Sequence, residues 1–144
     1  MDETDRKLLM ALQEDARLSF RALARAIGLS QPAVADRVRR LEASGVIAGY
    51  RTALNREQAG LPVTAFLKVT CTGDKFRAVH RLAQELPSVL ECHHVTGEAC
   101  FFLKVADRDL NGLERVIDRF REHGETVSSV VLSIVVEGKP TPLA

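Results

Sequence analysis

Up to about residue 50, the apolar residues of this chain recur every three or four positions, and after Val63 they gather into short β-branched runs. The first pattern covers Leu8, Leu9 and Leu12, then Leu23, Ala24 and Ile27, then Val34, Val38 and Leu41, and predicts three helices. The second covers Val63–Thr70, Val89–Thr96, Ala99–Ala106 and Val127–Val136 and predicts four strands. Asp74 is placed to cap a helix carrying Phe76, Val79, Leu82 and Leu86 on one stripe, ended by Pro87. Asp109 is placed to cap another with Leu110, Leu113, Val116, Ile117 and Phe120 inward, and Gly124 lies just past its end. The resulting fold class is α+β: a winged helix-turn-helix, then a ferredoxin-like βαββαβ domain with both helices on one sheet face. The boundaries fall at residues 1–53 for the helical domain, 54–61 for a linker and 62–144 for the sheet domain.

Alternation along the first strand puts Ala65, Leu67, Val69 and Cys71 on one side and Phe66 on the other, so both faces of the sheet carry apolar groups. Helices on only one side leave the second face to be covered. A second copy of the chain is the simplest cover, which predicts a homodimer.

At 144 residues and 46% hydrophobic content, two small domains each have a modest core. No apolar run approaches the roughly 18 residues a membrane span needs, and the start Met1-Asp2-Glu3-Thr4-Asp5 lacks the basic segment of a secretion signal. Cys71, Cys92 and Cys100 form neither an even disulfide set nor a CxxC pair and read as free thiols on strands. These features predict a cytoplasmic protein with no membrane partner.

The net charge of +1 is uninformative, but between Arg17 and Ala53 seven arginines face only Asp36 and Glu42. Such a cluster is either a phosphate-neutralising surface or a solvated helical face. The local motif favours the first. Ser19 can cap the helix that Gly28 ends in a left-handed conformation; Leu29 plugs the space between helices; Ser30 caps the next helix, with Pro32 in its first turn. A short rigid turn between two helices is what places the second in a DNA major groove.

On the Ser30–Ser44 helix, Val34, Val38 and Leu41 form the buried stripe, and Pro32, Ala33, Asp36, Arg39 and Arg40 point away from it. Gln31, Ala33, Asp36 and Arg37 are the candidates for base edges, and Arg39 and Arg40 for phosphates. Asp36 either accepts from a cytosine amino group or pairs with Arg40 one turn on. Arg37 borders the buried stripe, so it either reads a base or pins the helix. Val46–Thr52 reads as a wing, from which Arg51 can reach the backbone; Arg21 and Ser30 complete the candidate DNA-binding set.

Cys92-His93-His94 invites a metal reading, with His80, Cys100 and His123 as further candidates. On a strand only Cys92 and His94 share a face, whereas a closed zinc site needs four ligands, so ordinary strand packing is the expectation. No GxSxG, HExxH or Gly-rich phosphate loop occurs, and Gly97-Glu98 reads as a hairpin turn. The expectation is a non-enzymatic protein without metal or cofactor.

The chain resembles the leucine-responsive regulatory protein/AsnC family. The resemblance rests on Asp5-Arg6-Lys7-Leu8-Leu9, Leu23-Ala24, Ile27-Gly28-Leu29-Ser30, Val34, Arg37-Val38-Arg39-Arg40-Leu41-Glu42, Gly45-Val46-Ile47, Gly49-Tyr50 and Val95-Thr96-Gly97. It implies a sequence-specific regulator of transcription that binds double-stranded DNA, forms homodimers through the ferredoxin-like domain that often build a higher assembly such as an octamer, and responds to an amino acid or related metabolite. The effector site it implies lies at Thr96, Gly97, Glu98, Ala99 and Cys100. Amino-acid-binding members commonly carry an aspartate where this chain has Cys100, so loss or change of the effector is one expectation. An architectural protein that wraps DNA without an effector is the alternative. A metabolic enzyme or detached regulatory subunit that uses the ferredoxin-like domain, with the basic helices serving a protein partner, is a third.

Overall fold

The computed structural model describes residues 1–143. It consists of two units: Met1–Ala53 together with the chain from Val136 onward, and Leu54–Val135.

The first unit holds three helices, α1 (Glu3–Glu14), α2 (Phe20–Ile27) and α3 (Gln31–Ala43). Each begins at the cap its sequence provides. Asp2 and Asp5 form a reciprocal capping box on α1, Ser19 Oγ accepts from Ala22 N–H, and Ser30 Oγ accepts from Ala33 N–H. Gly28 ends α2 at φ 73°, where another residue costs roughly 1–2 kcal/mol. Leu8, Leu23, Val34 and Val38 are fully buried where the three helices meet, each contributing about 1.5–3 kcal/mol by leaving water.

The strand pair predicted as a wing after α3 does not form: residues 44–62 contain no strand. Ile47 N–H instead donates to Leu41 O at 3.0 Å, turning the chain back so that Ile47 packs on the helical core. The short apolar run is spent closing α3, and the Tyr50 hydroxyl donates to Glu42 at 2.9 Å. The predicted linker is a closed turn, with Leu61 N–H donating to Arg56 O at 2.8 Å and Gln58 N–H to Asn55 Oδ1 at 3.0 Å.

The second unit runs β1 (Val63–Thr70), α4 (Phe76–Glu85), β2 (Val89–His94), β3 (Phe101–Asp107), α5 (Leu110–Arg121) and β4 (Glu125–Val130). The strands form one antiparallel sheet in the order β2-β3-β1-β4, the ferredoxin-like arrangement. Ala65, Leu67, Val69, Leu103 and Val105 face Val79, Leu82, Leu113 and Phe120 of the two helices in one buried cluster. On the opposite face Phe66, Phe102 and Val127 are 47%, 43% and 53% exposed.

Several predicted boundaries shift for physical reasons. β4 stops at Val130 rather than Val136: Val131 N–H still reaches Thr64 O, and because β1 begins at Val63, which the register sets opposite Leu132, the residues from Ser133 to Val136 have no partner on β1. β1 ends at Thr70, β2 ends at His94 and β3 starts at Phe101, so Cys71 and Cys100 lie just outside β1 and β3. Asp74 does not cap α4: its carboxylate accepts from the Thr72 hydroxyl, and Lys75 occupies the cap position without a side-chain bond. Asp109 does cap α5, accepting from Gly112 N–H at 2.7 Å, but Leu110 in the first turn is exposed rather than inward. Gly124 serves close approach rather than helix termination, since a Cβ there would lie 2.3 Å from the Thr70 carbonyl oxygen.

Candidate nucleic-acid interface and effector turn

With Val34, Ala35, Val38 and Leu41 buried, α3 turns Gln31, Pro32, Asp36, Arg39 and Arg40 to solvent and leaves Ala33 half-buried. Ser30 is exposed at its cap, and Arg21 on α2 and Arg51 beyond α3 are exposed as well. Asp36 and Arg40 form an i,i+4 pair at 3.6 Å with both side chains largely solvated, a contact worth a few tenths of a kcal/mol. It holds Asp36 by the mildest of bonds and leaves most of the guanidinium fork of Arg40 to other acceptors.

Arg37 is arranged differently. Its Nη1 donates to Asp2 Oδ2 at 2.6 Å and to Asp5 Oδ1 at 2.7 Å. The remaining oxygen of each carboxylate completes the capping box, accepting from Asp5 N–H and Asp2 N–H respectively. Two aspartates thus cap α1 and hold the middle of α3 at once. The Asp5 backbone N–H and then the Arg37 guanidinium hold the Asp2 carboxyl below its ordinary range; the two carboxylates raise Arg37 further above its own. These bonds join α3 to the first turn of α1. Asp2 and Asp5 were missing from the candidate residues, although the Asp-x-x-Asp spacing at a helix start is a legible capping signal.

In the second unit the turn from Val95 to Cys100 is closed by Val95 N–H donating to Cys100 O at 3.0 Å. Thr96 and Gly97 are exposed at its tip, and Ala99 is buried at its base. Glu98 is turned outward with its side chain 94% exposed and pairs with Lys68 at 3.7 Å. Cys100 points inward: its thiol donates to Cys71 O at 3.0 Å and accepts from Cys71 N–H at 3.3 Å. Burial and, second, the contact with Cys100 push the Cys71 thiol up to about 11, so it stays protonated at neutral pH.

Register places Cys92 opposite Leu103 and His94 opposite Phe101 on the helix side, and His93 opposite Phe102 on the other side, where it contacts Glu91 at 3.2 Å. His94 stacks edge-on against Phe76. Among the described residues no cluster of three or more His, Cys, Asp or Glu is placed to hold a metal ion. Among the same residues no helix is long and apolar enough to cross a membrane.

Residues 1–42 match the AsnC-type helix-turn-helix domain and residues 64–141 the Lrp/AsnC ligand binding domain. The chain is 33% identical over 133 residues to the HTH-type transcriptional regulator LrpC of Bacillus subtilis, covering 92% of each chain. The solved structure of that protein superposes with a TM-score of 0.90 at 32% identity, over 94% of this chain and 97% of the other. A transcriptional regulator of Neisseria meningitidis, solved as a complex with L-Met, gives a TM-score of 0.93 at 29% identity over 99% and 96%. The two matched domains follow one another along nearly the whole chain, and the chain belongs to the Lrp/AsnC family of transcriptional regulators, with a DNA-binding helix-turn-helix and a ligand-binding domain.

Proposed function

We propose that this chain is a sequence-specific regulator that works in the cytoplasm as a homo-oligomer, reading double-stranded DNA with α3 and answering to an amino acid or related metabolite. The observation that carries the reading is the polar face of α3, where Gln31, Pro32, Ala33 and Asp36 precede Arg39 and Arg40 opposite a wholly apolar stripe. In this arrangement Gln31, Ala33 and Asp36 read base edges, while Ser30, Arg21, Arg39, Arg40 and Arg51 meet phosphates. Arg37 supports α3 from behind through Asp2 and Asp5 rather than touching a base. Two-fold operators suit a dimer, and the apolar sheet face supplies the dimer surface.

Fluorescence anisotropy on DNA from upstream of the chain's own gene, against random duplex at several salt concentrations, tests this. Specific binding predicts a discrimination of about 10³-fold or more that survives added salt better than non-specific binding does. Equal affinity for both duplexes would favour the architectural alternative.

The effector reading draws on the ligand-binding domain and on the relative's complex with L-Met. Thr96, Gly97, Glu98, Ala99 and Cys100 form the candidate site. One observation favours a changed or absent effector: Cys100 offers a neutral thiol already engaged by the Cys71 backbone. An effector that binds the native state raises the melting temperature, so a thermal screen of metabolites separates the two cases.

A further inference from the structure

The C-terminal segment carries an interaction that the DNA-reading role does not require. Gln13, on the exposed side of α1, accepts from Thr141 N–H at 2.6 Å and donates from Nε2 to Thr141 O at 3.2 Å. A side-chain amide matches a backbone donor and acceptor pair, and here both bonds land on one residue. Thr141 lies between Pro140 and Pro142, which have no N–H and fix φ near −65°, so it offers the single N–H of an already extended tripeptide. One residue further, Leu143 packs against the buried cluster of Leu8, Leu9, Leu23 and Val34 beside Ile47.

The docked segment is only partly enclosed. A cavity of about 280 Å³ lies on its α1 side, lined by Met10, Gln13 and Pro140 among others. A second of about 380 Å³ lies toward Val46–Arg51, with Leu143 in its wall. Two hydrogen bonds and one half-buried leucine make a weak contact between separate molecules. Joined to the chain, the segment docks at an effective concentration on the order of millimolar, which is enough to hold a contact of roughly millimolar affinity about half the time. Such a contact is poised to release.

Chain topology gives that release a consequence. The sheet unit runs from Leu54 to Val135, and the chain on both sides of it belongs to the helical unit. With the tail docked, two chain passages join the units; with it free, only the passage at Ala53 and Leu54 does. We propose that Pro140–Leu143 is a docking peptide for α1, a releasable latch that restricts the range of the DNA-reading unit and thereby sets the half-site spacing the oligomer accepts. The docking itself is independent of the proposed DNA reading; its effect on spacing rests on it.

The full chain, a variant ending at Lys139, and Gln13→Ala are compared. The first readout is the NMR signal of the Gln13 side-chain amide. It is expected to move on truncation and to return toward its original position when a synthetic peptide Gly-Lys-Pro-Thr-Pro-Leu is added at about millimolar concentration. An amide signal unchanged by truncation, or unmoved by the peptide, overturns the docking. The second readout is affinity for duplexes holding one half-site, or two at varied spacing. Single-site affinity is expected to stay within about twofold, while the preference for one spacing, roughly tenfold in the full chain, falls below about threefold in both variants. An unchanged spacing preference overturns the latch role. Gln13→Ala removes only the two hydrogen bonds to Thr141 and leaves the rest of the chain intact, so a loss of folding confined to the truncated chain does not blur the result. If the full chain binds no DNA, the proposed function fails, while the amide signal still decides the docking.

Discussion

Arg37 Nη1 donates to Asp5 Oδ1 at 2.7 Å, tying the middle of α3 to the first turn of α1 through side chains 23% and 16% exposed. A base-reading arginine and a positioning arginine make opposite predictions. If Arg37 orients α3, Arg37→Gln and Asp5→Asn reduce discrimination between operator and random DNA to a similar extent, and the double variant loses little more. The two substitutions are therefore expected to be clearly non-additive in that cycle. If Arg37 reads a base, Arg37→Gln relaxes the preference at a single base pair and Asp5→Asn leaves it alone, an outcome that sinks the positioning role.

Acid loosens the same joint. The Asp2 carboxyl titrates below its ordinary value of 3.8, chiefly because it accepts the Asp5 N–H and, second, the Arg37 guanidinium. A group whose pKa is lower when folded stabilises the fold fully above its unfolded value, and that contribution is lost as pH falls from about 3.8 through the folded value. Asp2→Asn can still cap α1 but carries no charge toward Arg37. Its melting temperature is therefore expected to fall less steeply than wild type as pH drops from 4 toward 2. Parallel curves in that window would exclude a native-state role for the charge.

The sheet face makes the assembly testable. Phe66 lies opposite Lys104 and Phe102 opposite Lys68, so the two rings alternate with lysines diagonally across β1 and β3. Each ring is exposed by nearly half, and burying both against a second copy contributes several kcal/mol, at about 25 cal/mol per Å² of apolar area. Sedimentation is expected to find no monomer at micromolar concentration for the wild type and a folded monomer for the double variant Phe66→Glu, Phe102→Glu. A folded wild-type monomer would remove the sheet face as the interface.

How far the sequence reveals these features depends on how local each signal is. Ser19, Gly28, Ser30 and Asp109 act on backbone groups within a few residues, and all four sit where the pattern puts them. The end of β4 was not legible, because it depends on where β1 begins; Val127–Val136 reads as one strand until its partner runs out at Val63. Asp74 had the right residue type for a cap, but the neighbouring Thr72 hydroxyl took its carboxylate first. Arg37 lay at the edge of a helical wheel, and only the packing of α1 decides which way it faces. The pairing of Gln13 with Thr141 spans 128 positions and leaves no local trace.

The last prediction concerns Cys100, whose thiol bonds both backbone groups of Cys71 at the base of the turn. By resemblance, amino-acid-binding members commonly carry an aspartate in this place, where a carboxylate can accept from an ammonium. A charge-assisted bond of that kind contributes about 1.5–3 kcal/mol, or roughly 10- to 150-fold in affinity, which a thiol that donates only weakly does not replace. Glu98 does not stand in for it, since it turns outward to Lys68. Calorimetric titration of the wild type with the unmodified amino acids is therefore expected to show no micromolar binding. In Cys100→Asp the new carboxylate keeps a donor in the Cys71 N–H but faces the Cys71 carbonyl at close range, which favours swinging one oxygen toward the turn. Affinity for at least one amino acid should rise tenfold or more, with a matching gain in melting temperature. Micromolar binding of leucine, methionine or asparagine by the wild type would mean that the thiol is tolerated and that another group receives the ammonium.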